Sequence, residues 1–293
     1  MSPTHQTTLA TPARLAGVGI HNGLPVNLAI LPAPADSGIV FVRTDIADDK
    51  QAIPALAGNV CDTRLATVIG NQAGTTVSTV EHLMAAFAGL GIHNARVELD
   101  GPEMPILEGS AADFVAAIDA AGRATLESPC RRIEILERIE VDGPGKRAAL
   151  VPAERFELSV EIIFDTPAIG RQQLDLAVDP ASFRAEIAPA RTFGFIAEVE
   201  QLRAMGLGRG ASLENTIVVD GDHVLNPAIM HRPDDFVRHK ALDALGDLAL
   251  AGHPILGRYE ASCSGHALNN QLVRALLAHP QAWRMTTATL AGA

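Results

Sequence analysis

The chain has 293 residues, 47% hydrophobic and 19% charged, a globular composition that excludes the disordered and fibrous classes. A formal net charge of −11 excludes nucleic acid as the main partner, because phosphate-backbone binding needs a broad basic surface. It leaves room for a small anionic ligand held by a few local lysines and arginines, since distant charges are screened.

At a soft prior of roughly 150 residues per domain, the length suggests two domains. The opening "MSPTHQTTLATPARLAGVG" lacks the basic flank and apolar core of a signal peptide. No apolar run is long enough to span a bilayer, so no stable membrane insertion is expected. Cys61, Cys130 and Cys263 are scattered and form no CxxC pair, which fits a reducing cytoplasm better than a disulfide framework.

Along the first half, "GIVFVRTD" and "NARVELDG" alternate like strands. Two helices are expected, "STVEHLMAAFAGLG" opened by Ser78 and "SAADFVAAIDAAG" opened by Ser110 and closed by Gly122. The polar, proline-punctuated "RATLESPCRR" marks the expected boundary, giving domains 1–126 and 127–293. After it, "RIEILERIEV", the turn "DGPG" and "RAALVPAERFELSVEIIFD" predict an antiparallel sheet. Helical stretches follow at "PASFRAEIA", "IAEVEQLRAMG", "DDFVRHKALDALGDLALAGH" and "HALNNQLVRALLAH". Strands followed by helices in each half indicate an α+β fold, and no repeat shows in the letters.

On a helical wheel of the third of these, His239, Lys240, Asp243 and Asp247 fall in one stripe about 100° wide, opposite Val237, Ala241, Ala244, Leu245, Leu248 and Ala249. Taken alone, that pattern favours a solvated face. Two details point the other way: Phe236 and Leu250 sit at the ends of the stripe, and His and Asp at i and i+4 project in parallel towards one ion.

A third ligand could come from His82 in "STVEHLMAAFAG". Ser78 and Glu81 also fit a capping box, so Glu81 has a structural reading beside a chemical one. Two histidines and a carboxylate leave the fourth position of a tetrahedral zinc to water, the pattern of a catalytic site, with Glu81 placed to take a proton. His266 follows a glycine turn at a helix start, where an acid role needs a carboxylate partner, and Asp247 is the candidate. Thr192 in "ARTFGF" could stabilise an oxyanion, although a lone threonine in a connection is usually a cap or turn residue.

Together "GVGIHNG", "STVEHLMAAFAGLGIHN", "PILEGSAADF", "ARTFGF", "FVRHKALDALGDL" and "SGHALNN", in this order and through to "QAWR", resemble the UDP-3-O-acyl-N-acetylglucosamine deacetylases. These are zinc amidases of lipid A (lipopolysaccharide) synthesis in Gram-negative bacteria. The resemblance implies two α+β domains of similar topology, facing each other with the active site at their junction. It implies Zn2+ on His82, His239 and Asp243, with Fe2+ able to occupy the site in cells. It further implies Glu81 as general base, His266 as general acid or electrostatic stabiliser oriented by Asp247, Thr192 as oxyanion partner, and Lys240 beside the substrate.

For the UDP-linked acylated amino sugar, the resemblance puts Lys146 on the phosphate side and Phe164 near the uracil. Phe193 joins the substrate contacts, and "IAEVEQLRAMGLGRGAS", with Gly210, forms the acyl passage. Arg209 and Glu198 are polar for such a passage. A cytoplasmic monomer is expected. The catalytic motifs alone also suit an amidohydrolase acting on another acylated or nucleotide-linked compound. A catalytically silent nucleotide-sugar-binding protein would show a broken set, whereas every member is present here.

Overall fold

The computed structural model describes residues 4–287 of the chain. In the first half, strands β1 (Ala13–Val18), β2 (Pro25–Pro32), β3 (Ile39–Arg43), β4 (Ala52–Pro54) and β5 (Ala95–Leu99) form one sheet. Its order is β1-β2-β5-β3-β4, antiparallel except where β3 runs parallel to β5. Helix α1 (Glu81–Leu90) precedes β5, and α2 (Ala112–Ala121) follows it.

The second half repeats this plan. Strands β6 (Ile139–Gly143), β7 (Lys146–Val151), β8 (Glu157–Ile163), β9 (Arg171–Ala177) and β10 (Arg258–Ser262) form a sheet in the order β6-β7-β10-β8-β9. Again it is antiparallel except for one pair, β8 with β10. Between β9 and β10 lie α3 (Ile196–Ala204) and α4 (Asp235–Ala249), and α5 (His266–Ala278) follows β10. The molecule is α+β, and the topology repeats although the letters do not.

Two expectations change here, and a third, the helical stretch at "PASFRAEIA", is met in a refined form. The sheet of the second half is mixed, because β10 arrives from far along the chain and inserts between β7 and β8. "RATLESPCRR" contains a strand, Arg123–Pro129, paired antiparallel with His5–Leu9. Its alternating half-buried residues gave too weak a period for the sequence to show it. "PASFRAEIA" is a single turn, Pro180–Ser182, capped by Asp179 and running into a π-helical turn, Phe183–Ile187.

Helices α1 and α4 pack on each other, and α4 also lies on β8 and β9 while α5 covers β6 and β7. One hydrophobic cluster runs through both halves across this contact, including Leu83 and Ala86 of α1 and Ala241, Leu242 and Leu245 of α4. Where the helices cross, Gly246 of α4 faces the backbone of Glu81, and a Cβ there would lie 2.0 Å from the Glu81 carbonyl oxygen. Only glycine permits that approach, and it brings the first turn of α1 onto the polar stripe of α4.

Candidate active site

The α4 stripe is not wet. His239, Asp243 and Asp247 are 2%, 3% and 1% exposed, and Phe236 and Leu250 at its ends are buried. The wheel located the polar face but could not show that α1 covers it. Glu81 and His82, the first two residues of α1, are 3% and 4% exposed. So many buried polar groups are tolerable only if each is paired or holds an ion.

Three of them converge. Asp243 Oδ1 lies 3.4 Å from His239 Nε2 and 3.7 Å from His82 Nε2, and the imidazoles meet edge to face with centroids 5.0 Å apart. One donor atom from each residue lies within 4.8 Å of the others. Ligand arms of roughly 2.1 Å span tetrahedral edges of about 3.4 Å, so the set fits one small dication.

The protonation states suit metal binding. Burial, with His239 next, pushes His82 down to about 3, and burial lowers His239 as well, so both imidazoles are neutral. Burial works against the Asp243 carboxylate, but the charges that face it, the Lys240 ammonium and the protonated His266 among them, hold its pKa well below the usual range. His239 Nδ1 lies 3.0 Å from the Ala190 carbonyl oxygen, to which it donates, leaving Nε2 free as ligand. Asp243 Oδ2 accepts from Lys240 Nζ at 2.6 Å, which leaves Oδ1 for an ion.

Beside these three lies a second buried group, Glu81 with the His266–Asp247 pair. Burial pushes Glu81 up to about 7, against the pull of His266. His266 Nδ1 bonds Asp247 Oδ2 at 2.9 Å, and its Nε2 faces Glu81 Oε1 at 3.8 Å. Burial disfavours a charged His266, yet Asp247 foremost, with Glu81 and Asp243, raises it to about 10.

The capping box does not form. Thr79 turns at φ 61°, the Ser78 amide donates to Pro102, and the α1 cap residue is Val80, with no side-chain bond. Glu81 Oε2 instead accepts the Thr67 amide at 3.0 Å. Nor is Ser110 the cap of α2, a position Ala111 takes with no side-chain bond, although the Ser110 hydroxyl accepts the Ala112 amide at 3.0 Å.

Of the other expected contacts, Phe193 is the best anchored. Its ring lies 5.0 Å from Phe236, 6.4 Å from His239 and 5.7 Å from Phe164, with Lys240 Nζ 5.5 Å from its centroid. Thr192 is half-buried, its amide and carbonyl tied to Gly109 and Ile217, and its hydroxyl makes no hydrogen bond among the described residues. Lys146 is exposed at the start of β7, beside Arg147, which pairs with Ser262 just before the chain turns to His266. Gly210 packs against the Gly19–Gly23 loop: its amide donates to Ile20, and a Cβ on it would lie 2.2 Å from the Gly19 carbonyl oxygen.

Sequence reasoning missed several partners. Thr67 bonds both Glu81 and Asp247. Asn269 donates to Asp247 at 2.8 Å and accepts from Tyr259 and Ser264, each at 2.6 Å. Burial holds the His21 pKa down, against Glu103 and with a smaller push from His266, and the residue sits on a loop whose amides at 21 and 22 donate to Glu103. Phe195 completes the aromatic group, 5.7 Å from Phe164. Asn269 and His21 lie inside motifs already singled out, whereas Thr67 carried no local signal.

Two histidines and an aspartate that could hold a metal ion, facing a buried carboxylate and a His–Asp pair, have the make-up of a metal-dependent hydrolytic centre. The family model of the UDP-3-O-acyl N-acetylglycosamine deacetylases matches residues 6–278, and the chain belongs to that metalloenzyme family. Proteins named UDP-3-O-acyl-N-acetylglucosamine deacetylase are similar along nearly their whole length. The one from Phenylobacterium zucineum is 57% identical over 282 residues, 96% of each chain. That from Myxococcus xanthus is 50% identical over 287 residues, 98% of this chain and 91% of its own. That from Syntrophotalea carbinolica is 44% identical over 281 residues, 96% and 90% respectively. The chain is a deacetylase. No helix among the described residues is long and apolar enough to cross a membrane.

Proposed function

We propose that the enzyme hydrolyses the acetamide of UDP-3-O-acyl-N-acetylglucosamine, releasing acetate and the free amine in the committed step of lipid A biosynthesis. It acts as a cytoplasmic monomer whose halves, 1–126 and 127–293, are its domains. Each five-stranded sheet draws its strands from one side of that division, which supports it. The observation that carries the functional reading is the convergence of His82, His239 and Asp243 beside Glu81 and the His266–Asp247 pair.

His82, His239 and Asp243 would hold Zn2+, with Fe2+ able to replace it, since imidazole and carboxylate ligands suit both. The ion supplies Lewis-acid polarisation of the carbonyl and lowers the pKa of water. Glu81 takes the proton of the attacking water, a task suited to a carboxyl whose pKa burial raises to about 7. His266, kept protonated by Asp247, stabilises the developing oxyanion and passes its proton to the departing amine. Thr192 donates its unengaged hydroxyl to the same oxyanion, and Lys240, held between Asp243 and Phe193, meets the substrate.

Lys146 binds the diphosphate and Phe164 the uracil, with Phe193 linking that subsite to α4. The segment from α3 to Gly210 lines the acyl passage. Metal analysis and an acetate-release assay on the UDP-linked substrate test the reading together. His239→Ala should lose bound metal and turnover in parallel, and full turnover by a metal-free preparation would sink it.

A further inference from the structure

Glu81 and Asp247 stand on different helices and belong to the two arms of the acid–base machinery. Among the described residues, Thr67 is the one that donates to both. Its amide meets Glu81 Oε2 at 3.0 Å, and its hydroxyl meets Asp247 Oδ1, 180 residues away in sequence. It is 1% exposed and lies just before the short strand Val68–Gly70, with its carbonyl tied to the Val80 amide at the cap of α1.

Asp247 divides its oxygens. Oδ2 accepts from His266 Nδ1 and Asn269 Nδ2, so the Thr67 hydroxyl is what fixes Oδ1 and stops the carboxylate from rotating about its Cβ–Cγ bond. A rotated Asp247 would release His266, whose Nε2 stands 3.8 Å from Glu81.

We infer that Thr67 is a positioning residue for the deacetylation, holding Glu81 from one side and the Asp247–His266 pair from the other so that base and acid face one reacting carbonyl. This rests on the roles given above to Glu81, Asp247 and His266. Thr67 touches neither the substrate nor the metal ligands in this account. Its contribution is to kcat, as groups that orient catalytic side chains hold them in productive geometry rather than binding substrate.

The experiment compares Thr67→Val, which removes the hydroxyl but keeps the backbone donor and shape, with Thr67→Ser, which keeps the hydroxyl. In the zinc-loaded full chain, Thr67→Val should lower kcat about 10- to 100-fold, with KM and zinc per chain unchanged. Thr67→Ser should recover most of the rate. In an Asp247→Asn background the valine substitution should cost little more, because its effect passes through Asp247. If valine does not fold in this place, Thr67→Ala carries the same expectation.

Wild-type kcat in folded Thr67→Val or Thr67→Ala overturns the inference, as does a loss that follows zinc content alone or that serine fails to recover. The controls Glu81→Gln and Asp247→Asn separate the two levels of failure. If they leave turnover intact, the roles beneath the inference fail with it. If they lower turnover sharply while Thr67→Val does not, only Thr67 is misassigned.

Discussion

The turn into α2 runs through Leu107 and Gly109, and the turn into α5 through Cys263 and Gly265. Each places a non-glycine residue at positive φ, 55° and 53° respectively, two positions before a glycine. From the glycine on the halves diverge, with Gly109 at φ 94° and Gly265 extended at φ −156°. In the first half the next residue is Ser110, fully buried, its hydroxyl donating to Glu108 and accepting the Ala112 amide. In the second it is His266, which reaches out of its own helix to Asp247 and Glu81. Turns that begin alike thus close on themselves in one half and face the proposed reaction centre in the other.

The central helices show the same asymmetry. Helix α1 contributes its first two residues, whereas α4 contributes His239, Asp243 and Asp247 over two turns. A repeated topology thus supplies two matching scaffolds, and the chemistry arises where side chains from each meet at the α1–α4 crossing. Fold alone does not assign the function, and the residues at that crossing do.

The comparison is broken most severely at the acid–base pair. Glu81→Gln should reduce kcat by roughly 10²- to 10⁴-fold with bound metal retained, read by acetate release beside metal analysis. The pH profile sharpens the same point. In the proposed mechanism Glu81 works deprotonated, so kcat/KM should fall as pH drops through its pKa, which burial sets near 7. His266 works protonated, so activity should fall as pH rises towards about 10. A bound dication draws both limbs to lower pH. His266→Gln should keep the acid limb and lose the alkaline one, and an unchanged alkaline limb would remove His266 from the mechanism.

Gly246→Ala tests the crossing itself. The added methyl meets the Glu81 backbone, and the overpacking should cost about 1–3 kcal/mol, lowering Tm by several degrees in thermal unfolding. Zinc affinity, measured by chelator competition, should fall in the same variant because His82 moves away from Asp243. The smallest effect is expected from Ser110→Ala. Losing the hydroxyl's local hydrogen bonds should cost about 0.5–1.5 kcal/mol, while metal content and turnover stay at wild-type values. A turnover defect there would mean that the self-closed turn of the first half also serves the reaction.

Which residues gather at the candidate site could largely be read from the chain, because they sit in compact motifs on helices: His239, Asp243 and Asp247 at a helical repeat, Glu81 and His82 side by side. What was not legible depended on contacts between distant segments. The wheel over α4 could not register α1, so three buried residues resembled a solvated face. Ser78 and Glu81 matched a capping box by spacing, but Thr79 at positive φ removes Ser78 from the cap and Thr67 takes the carboxylate. Local pattern records what a segment could satisfy by itself and is silent about a competing partner from elsewhere.

By itself the sequence determined the α+β alternation, the helix that carries the polar stripe, and the residue types needed to bind a dication and move a proton. Only the tertiary structure decided which of those groups meet. It inserted β10 between β7 and β8, repeated one sheet topology in two halves with dissimilar letters, and set Gly246 against Glu81. The reason is physical: helix and strand periods follow from a few neighbouring residues, whereas burying a polar cluster requires donors from segments as far apart as Thr67 and Asp247.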